Sequence, residues 1–285
     1  SFSVKCEKIG IRCDEKSIKF PERLIKLIYA SAHQLGELIS CYEYIAEIRR
    51  APEITSFFDK LDIKEQREWA DDLLSRIDYD FSNASVCILD TGVSYGHPLL
   101  SGVFEEETVQ SVENHWGKND HDGHGTEMAG IALFHNLQEK LLSSNRERIV
   151  HHLESVKILP PKGENDPKLY GAITQRAVYL AEVSRPKSER TLCMAVTSEK
   201  YNTNDGSPTS WSGAIDSITS GVNDEEKRLF FVSAGNVYPY ELLDSEYPNA
   251  NIIHSVESPG QAWNAITVGA YSQDIRIEEE LLNSY

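Results

Sequence analysis

The sequence predicts an α/β protein: a doubly wound, mainly parallel sheet preceded by a small helical N-terminal region. Short apolar runs rich in strand-forming residues alternate with segments of helical periodicity, and such alternation builds parallel sheets covered by helices. The 285-residue chain is 40% hydrophobic, which is enough for a sizeable core. We expect the helical region to occupy residues 1–80 and the α/β domain residues 81–285.

Five apolar runs are predicted to be strands: Ser85–Leu89, Ser155–Leu159, Thr191–Val196, Arg228–Ser233 and Ala265–Gly269. Helical patterns between them are predicted at His124–Leu137, Tyr170–Glu182 and Pro208–Ser220. The last helix is the best marked, with Ser207 as N-cap, Pro208 at the first helical position and Gly221 just past its end.

The N-terminal region carries two further helical patterns. Apolar residues recur at three-, four- and seven-residue intervals between about Pro21 and Arg49, which predicts an amphipathic helix. A second helix is predicted over Lys64–Ile77, with Asp62 as N-cap and Glu65 completing a capping box. These helices form either a lid on the main domain or a docking surface for a regulatory protein partner.

The composition argues against several classes of partner. With 45 acidic and 28 basic residues, the formal net charge of −17 repels nucleic acids and anionic lipid surfaces, and no apolar run is long enough to span a bilayer. We therefore expect no nucleic acid and no membrane partner. Five cysteines without a CxxC pair fit a reducing compartment, so a cytoplasmic location is expected.

Three polar residues are predicted to meet at one rim of the sheet. Asp90 and Asn236 each follow a predicted strand, and His124 stands between two glycines at a predicted helix start. In open α/β sheets, functional groups gather outside the carboxyl ends of the strands. A carboxylate that orients an imidazole, with a carboxamide nearby to bind an oxyanion, suits acyl transfer.

Each of these residues also has a simpler explanation when it is taken alone. Asp90 in Asp-Thr-Gly is explained as a turn cap or as an aspartic-peptidase motif, although the second motif of that class is not found. Asp120, His121 and Asp122 beside His124 suggest a metal site, but their spacing differs from the i, i+4 arrangement of helical ligand pairs. We expect no metal and no other cofactor.

Three motifs together resemble those of the subtilisin-like serine peptidases, the subtilases. Val86–Val93, Asp122–Thr126 and Val232–Asn236 look like the aspartate, histidine and oxyanion-asparagine motifs of that family, in the family's order. The resemblance covers about Ser85–Tyr271. It implies a polypeptide substrate and serine endopeptidase activity.

The resemblance also implies roles for single residues. Asp90 would orient the imidazole, His124 would act as general base, and Asn236 would donate to the oxyanion. The substrate-binding residues would be Ala195, Val196, Thr197 and Gly235. The first three stand where the family usually carries Ser-Leu-Gly, and they lie in a segment expected to pair with an extended substrate.

Two departures from the family pattern shape the functional prediction. No Gly-Thr-Ser nucleophile motif occurs between Asn236 and Tyr285, so the catalytic serine is expected beyond residue 285 and this chain alone is expected to be inactive. The alternative is a nucleophile-free, peptidase-like module that binds polypeptide without cleaving it. The N-terminal region is predicted to be all-helical, and it therefore resembles the extension of an intracellular bacterial relative more than the α/β propeptides of secreted subtilisins.

Overall fold

The chain folds into two compact units. The computed structural model describes residues 2–19, 24–48, 58, 61–198, 205–237 and 254–270. The smaller unit combines Ser1–Asp59 with Ala270–Tyr285, and the larger unit is Lys60–Gly269. The domain boundary is predicted between residues 80 and 81, which is later in the chain than the division between Asp59 and Lys60.

The smaller unit contains helices and a β-hairpin. Helix α1 (Phe2–Ile9) is followed by the antiparallel strands β1 (Arg12–Lys19) and β2 (Leu24–Tyr29), and then by helix α2 (Ala32–Cys41). Its core is formed by buried Cys6, Ile11 and Leu38.

The helix predicted between about Pro21 and Arg49 is therefore wrong over Leu24–Tyr29 and is found only over Ala32–Cys41. Leu24 and Ile28 are four residues apart, a spacing that fits the period of a strand as well as that of a helix. The helix begins where Ser31 and Gln34 form a capping box. The region contains helices as predicted, but it is not all-helical.

The first helix of the larger unit begins at the predicted N-cap. In α3 (Ile63–Ser75), Asp62 Oδ1 accepts from Glu65 N at 2.8 Å and Glu65 Oε2 accepts from Asp62 N at 3.1 Å, which confirms the capping box. Leu73 of this helix packs in the same buried cluster as Ile88 and Leu153. The helix therefore belongs to the core of the larger unit.

The rest of the larger unit alternates strands and helices. The elements are β3 (Ile77–Tyr79), β4 (Ala84–Asp90), β5 (Val109–Ser111), α4 (His124–Phe134), α5 (Leu137–Leu142), β6 (Glu147–Ile149), β7 (His152–Lys157), α6 (Tyr170–Ser184), β8 (Glu189–Met194), α7 (Ser210–Ser220), β9 (Leu229–Ser233) and β10 (Ile266–Val268). Short 3-10 turns lie at Glu106–Thr108, Asn114–Trp116 and Pro167–Leu169.

Six strands form a parallel sheet in the order β10-β9-β8-β4-β7-β5. Along β4, Cys87 and Leu89 pack in one buried cluster with helices α6 and α7, whereas Ile88 packs in another with α3 and α4. Successive side chains of a strand point to opposite faces, so helices cover both faces of the sheet. This arrangement confirms the predicted doubly wound fold.

Several boundaries differ from the predictions for local reasons. The helix that begins at His124 ends at Phe134, because His135 has a positive φ of 60° and Asn136 then caps a new helix. Thr209 caps α7 instead of Ser207, and Gly221 ends it with a φ of 67°. No helix in the described ranges is long and apolar enough to cross a membrane.

A buried ion pair joins the two strands that flank β4. Glu154 in β7 is fully buried, and its carboxylate accepts from Arg190 Nε at 2.6 Å and from Nη2 at 3.2 Å. Nη2 also donates to the carbonyl oxygens of Ala181 and Arg185, each at 2.9 Å. The guanidinium thus joins the sheet to the end of α6.

We predict that Arg190→Ala destabilises the larger unit by about 3–5 kcal/mol, because it leaves the Glu154 charge buried without a partner. Urea unfolding followed by tryptophan fluorescence measures the change. The control is Lys64→Ala, which breaks an exposed 3.5 Å pair with Glu68 and should change the free energy of unfolding by about 0.5 kcal/mol or less. Equal effects of the two variants would contradict the prediction.

Candidate active site

Asp90 stands at the carboxyl end of the central strand. It is 1% exposed, it pairs with Lys157 in the ladder between β4 and β7, and its carbonyl oxygen accepts from Ile158 N at 2.8 Å. Its carboxylate Oδ1 accepts from the backbone N–H of Thr91 at 2.7 Å. The position of the carboxylate is therefore set by the sheet itself.

His124 is the first residue of α4 and faces Asp90. Its Nδ1 lies 2.9 Å from both Oδ1 and Oδ2 of Asp90. A carboxylate accepts hydrogen bonds, so this contact places the ring proton on Nδ1 and leaves Nε2 as the basic nitrogen. Because 40% of the side chain is exposed, the imidazole is anchored on one side and open on the other.

The close approach of α4 to the end of β4 requires a glycine. A Cβ on Gly125 would lie 2.0 Å from the carbonyl oxygen of Gly92 and 3.2 Å from Cβ of Asp90. Real side chains never come this close, so only glycine lets the helix start beside the aspartate. The two glycines that flank His124 therefore have different roles, since Gly123 supplies a φ of 107° at the N-cap.

Asp120 fixes the loop that precedes the histidine. Oδ1 accepts from Thr91 Oγ1 at 2.9 Å and from the N–H groups of Asp122 and Gly123 at 3.0 and 2.9 Å. Oδ2 accepts from the N–H of Thr126 at 2.8 Å and from its Oγ1 at 2.5 Å. Five donors thus lock this carboxylate between the end of β4 and the first turn of α4.

These contacts shift two pKa values. Burial alone would raise the pKa of Asp120, but the hydrogen bonds from Thr126, Gly123 and Asp122 hold it well below its usual range. Burial lowers the pKa of His124, but the hydrogen bond to Asp90 and the charges of Asp90, Glu127 and Asp122 raise it more. The net pKa of His124 is above its ordinary value.

A raised histidine pKa has opposite consequences for stability and for chemistry. The interaction with Asp90 contributes fully to stability below the unfolded-state pKa of about 6.5, and this contribution is lost as the pH rises through the higher folded-state pKa. A general base must be neutral, so His124 becomes competent over the pH range in which the stabilisation disappears.

Lys157 supports the loop that precedes Asp120 and His124. The side chain is 1% exposed, and its Nζ donates to the carbonyl oxygens of Asn119 at 2.8 Å and Trp116 at 3.4 Å. Burial lowers its pKa, and the charge of Asp120 partly offsets that effect. Sequence reasoning missed this role, because the partner Asn119 lies 38 residues away in the chain.

Two of the predicted substrate-binding residues, Val196 and Thr197, line a cavity, whereas Ala195 and Gly235 are not among its lining residues. A cleft of about 460 Å³ is lined by residues that include Thr91, Asp122, Tyr170, Val196, Thr197 and Asn236. Asn236 is exposed and lines this cleft together with Thr91, which follows Asp90, and Asp122, which lies two residues before His124. In the described part of the chain, no hydrogen bond joins the Asn236 side chain to His124.

The segment Ala195–Thr197 continues past the paired part of the sheet. Strand β8 ends at Met194, so the strand predicted to reach Val196 is two residues shorter. Thr197 Oγ1 donates to Glu257 Oε2 at 2.7 Å, and Gly235 has a φ of 124°. Glu257 was not among the predicted site residues, because nothing in the sequence indicates its contact with a residue 60 positions away.

The alternative of a metal site receives no geometric support. Both Asp120 oxygens accept hydrogen bonds from protein donors, and His121 Nδ1 lies 3.0 Å from the carbonyl oxygen of Thr91. Within the residues that the structure describes, no three His, Cys, Asp or Glu side chains are placed to hold a metal ion.

The comparison with known families agrees with this arrangement. The model of the Subtilase family, peptidase S8, matches residues 82–282, which contain Asp90, His124 and Asn236. The chain therefore belongs to the subtilase family of serine peptidases.

Solved structures add a more distant likeness. Two structures of the epidermin leader peptide processing serine protease EpiP from Staphylococcus aureus, one of them a mutant, are 14% and 15% identical to this chain, with TM-scores of 0.41 and 0.42. The matches cover 95% and 94% of this chain and 67% and 66% of EpiP. No curated protein matches the chain. The family assignment rests on the match over residues 82–282.

We predict that Gly125→Ala destabilises the larger unit by about 1–3 kcal/mol, because the new methyl group overlaps the Gly92 carbonyl. The matched control is Gly130→Ala in the same helix, where a Cβ meets nothing within 4 Å and should stabilise by roughly 0.5–1 kcal/mol. Chemical unfolding of both variants measures the difference. If both substitutions stabilised the protein, the close approach of α4 to the end of β4 would not require glycine at position 125.

Proposed function

We propose that this chain is part of a serine endopeptidase that cleaves polypeptides with an Asp-His-Ser triad. The observation that carries the proposal is the double 2.9 Å contact between His124 Nδ1 and the buried Asp90 carboxylate. That contact leaves Nε2 free to accept a proton, as a general base in acyl transfer requires. The serine is proposed to lie beyond residue 285.

The proposed reaction assigns one task to each group. His124 Nε2 takes the proton of the serine hydroxyl while the serine oxygen attacks the scissile carbonyl carbon, and Asp90 stabilises the resulting imidazolium. Asn236 donates its side-chain N–H to the oxyanion of the tetrahedral intermediate. The imidazolium then gives its proton to the leaving amine, which leaves an acyl-enzyme. His124 next takes a proton from a water molecule that attacks the acyl carbon, and it gives that proton to the serine oxygen as the acid product leaves.

The cleft supports an extended polypeptide as the substrate. Ala195–Thr197 lies beyond the end of β8, and Val196 and Thr197 line a cleft of about 460 Å³. An added substrate strand gains affinity from main-chain hydrogen bonds, and pockets for its side chains provide specificity. We propose that Val196, Thr197 and Gly235 shape the pocket nearest the scissile bond and that Ala195 lies along the substrate backbone.

Further proposals concern the protein as a whole. This chain alone is proposed to bind peptides without hydrolysing them, and its N-terminal unit is proposed to dock a regulatory protein. A cytoplasmic location is also proposed, on the five cysteines without a CxxC pair.

We predict that a longer natural chain that continues past residue 285 reacts with a fluorophosphonate probe and hydrolyses peptides. His124→Ala should lower both rates on the order of 10⁴-fold, because the general base is lost. Gel fluorescence and release of a peptide fluorophore measure the two rates.

The control is His33→Ala, which removes a histidine in the smaller unit whose side chain is 83% exposed, and it should leave both rates unchanged. A folded longer chain that neither reacts with the probe nor cleaves peptides would contradict the peptidase proposal. That result would favour the peptidase-like binding module.

A further inference from the structure

Glu257 connects the two segments that the proposed function assigns to the substrate. Its Oε2 accepts from Thr197 Oγ1 at 2.7 Å and from the backbone N–H of Asn236 at 3.2 Å. The residue is 8% exposed. The carboxylate therefore lies between the segment that would pair with the substrate and the residue that would bind the oxyanion.

The backbone holds Glu257 in this place from both sides. Its N–H donates to the Ala234 carbonyl oxygen at 2.8 Å, and the next residue, Ser258, accepts from Ser198 N at 2.9 Å. A Cβ on Gly235 would lie 2.6 Å from Cγ and 2.7 Å from Cδ of Glu257. The glutamate side chain occupies the space that a larger residue at position 235 would fill.

The charge of Glu257 has no cationic partner in the described part of the chain. No Lys or Arg there lies within ion-pair distance of it, and its Oε1 accepts no hydrogen bond from described residues. Glu154, the other strongly buried glutamate, has the Arg190 guanidinium on both of its oxygens. A buried carboxylate without a cation is costly, and pairing with one lowers that cost.

We propose that Glu257, which contacts the cleft residues Thr197 and Asn236, makes the site selective for a basic residue, Lys or Arg, immediately before the scissile bond. This inference rests on the proposed function. If the scissile carbonyl binds at the Asn236 side chain and the substrate backbone pairs with Ala195–Thr197, the side chain of that residue enters between these two segments. Glu257 borders that space, and its Oε1, which accepts no hydrogen bond from the described residues, accepts the charged hydrogen bond that Lys or Arg donates.

The proposal gives a reason for the departure from the family pattern at Thr197. Glycine at this position would offer no hydroxyl, whereas Thr197 donates one to Oε2 and fixes the orientation of the carboxylate. The threonine thus acts as a positioning residue for Glu257.

The test measures peptide binding by the 285-residue chain with fluorescence anisotropy. Three fluorescein-labelled peptides of otherwise identical sequence, Ala-Ala-Ala-X, carry Arg, citrulline or Leu as X. Citrulline has nearly the shape of arginine without its charge. We expect the Arg peptide to bind at least 10-fold more tightly than either of the others, because only arginine neutralises the buried carboxylate.

Two variants separate the role of Glu257 from the overall negative charge of the protein. Glu257→Gln keeps the shape of the side chain and an acceptor oxygen, and it should abolish the preference for Arg over citrulline. Glu226→Gln removes the same charge from an exposed position and should keep the preference.

Three other results of these binding measurements would each contradict a different claim. Equal binding of the Arg and citrulline peptides to the native chain would contradict the basic selectivity and leave the peptidase proposal intact, and this comparison needs no variant to fold. A preference that survives Glu257→Gln would contradict the assignment to Glu257. No binding of any of the three peptides would contradict both the selectivity and the proposed peptide-binding function.

Discussion

The site depends on a negative charge that the sheet keeps out of water. Asp90 is 1% exposed at the end of β4, and moving an isolated carboxylate into such a place costs several kcal/mol. The Thr91 N–H and the His124 Nδ1–H offset this cost, because both donate to the carboxylate. The same contact orients the histidine, and its hydrogen bond and charge raise the pKa of His124 against the lowering effect of burial.

Rigid neighbours keep that contact in place. Asp120 ties the end of β4 to the first turn of α4 through five hydrogen bonds, and Lys157 holds the carbonyl oxygens of the preceding loop. Gly125 brings the helix start within contact of Gly92. Groups held in this way need little reorganisation when charge develops during acyl transfer, which is the main source of electrostatic catalysis.

The parts of the fold that could be predicted are those with local signals. Strand β4 is apolar because both of its faces are buried, and the capping box at Asp62 and Glu65 is a contact over three residues. Strands β3, β5 and β6 have three residues each and carry no periodicity, and the hairpin strand β2 has a spacing that fits a helix equally well. The roles of Lys157 and Glu257 depend on partners 38 and 60 residues away, which no local pattern reveals.

The most direct test of the central claim is a pH titration of the His124 ring by NMR, in the native chain and in Asp90→Asn. The account predicts a native pKa above the ordinary histidine value of about 6.5, because the carboxylate stabilises the imidazolium. In the variant the Asp90 charge is gone while burial remains, so the pKa of His124 should fall. A native pKa at or below about 6.5, or one that Asp90→Asn leaves unchanged, would show that Asp90 does not control the basicity of His124.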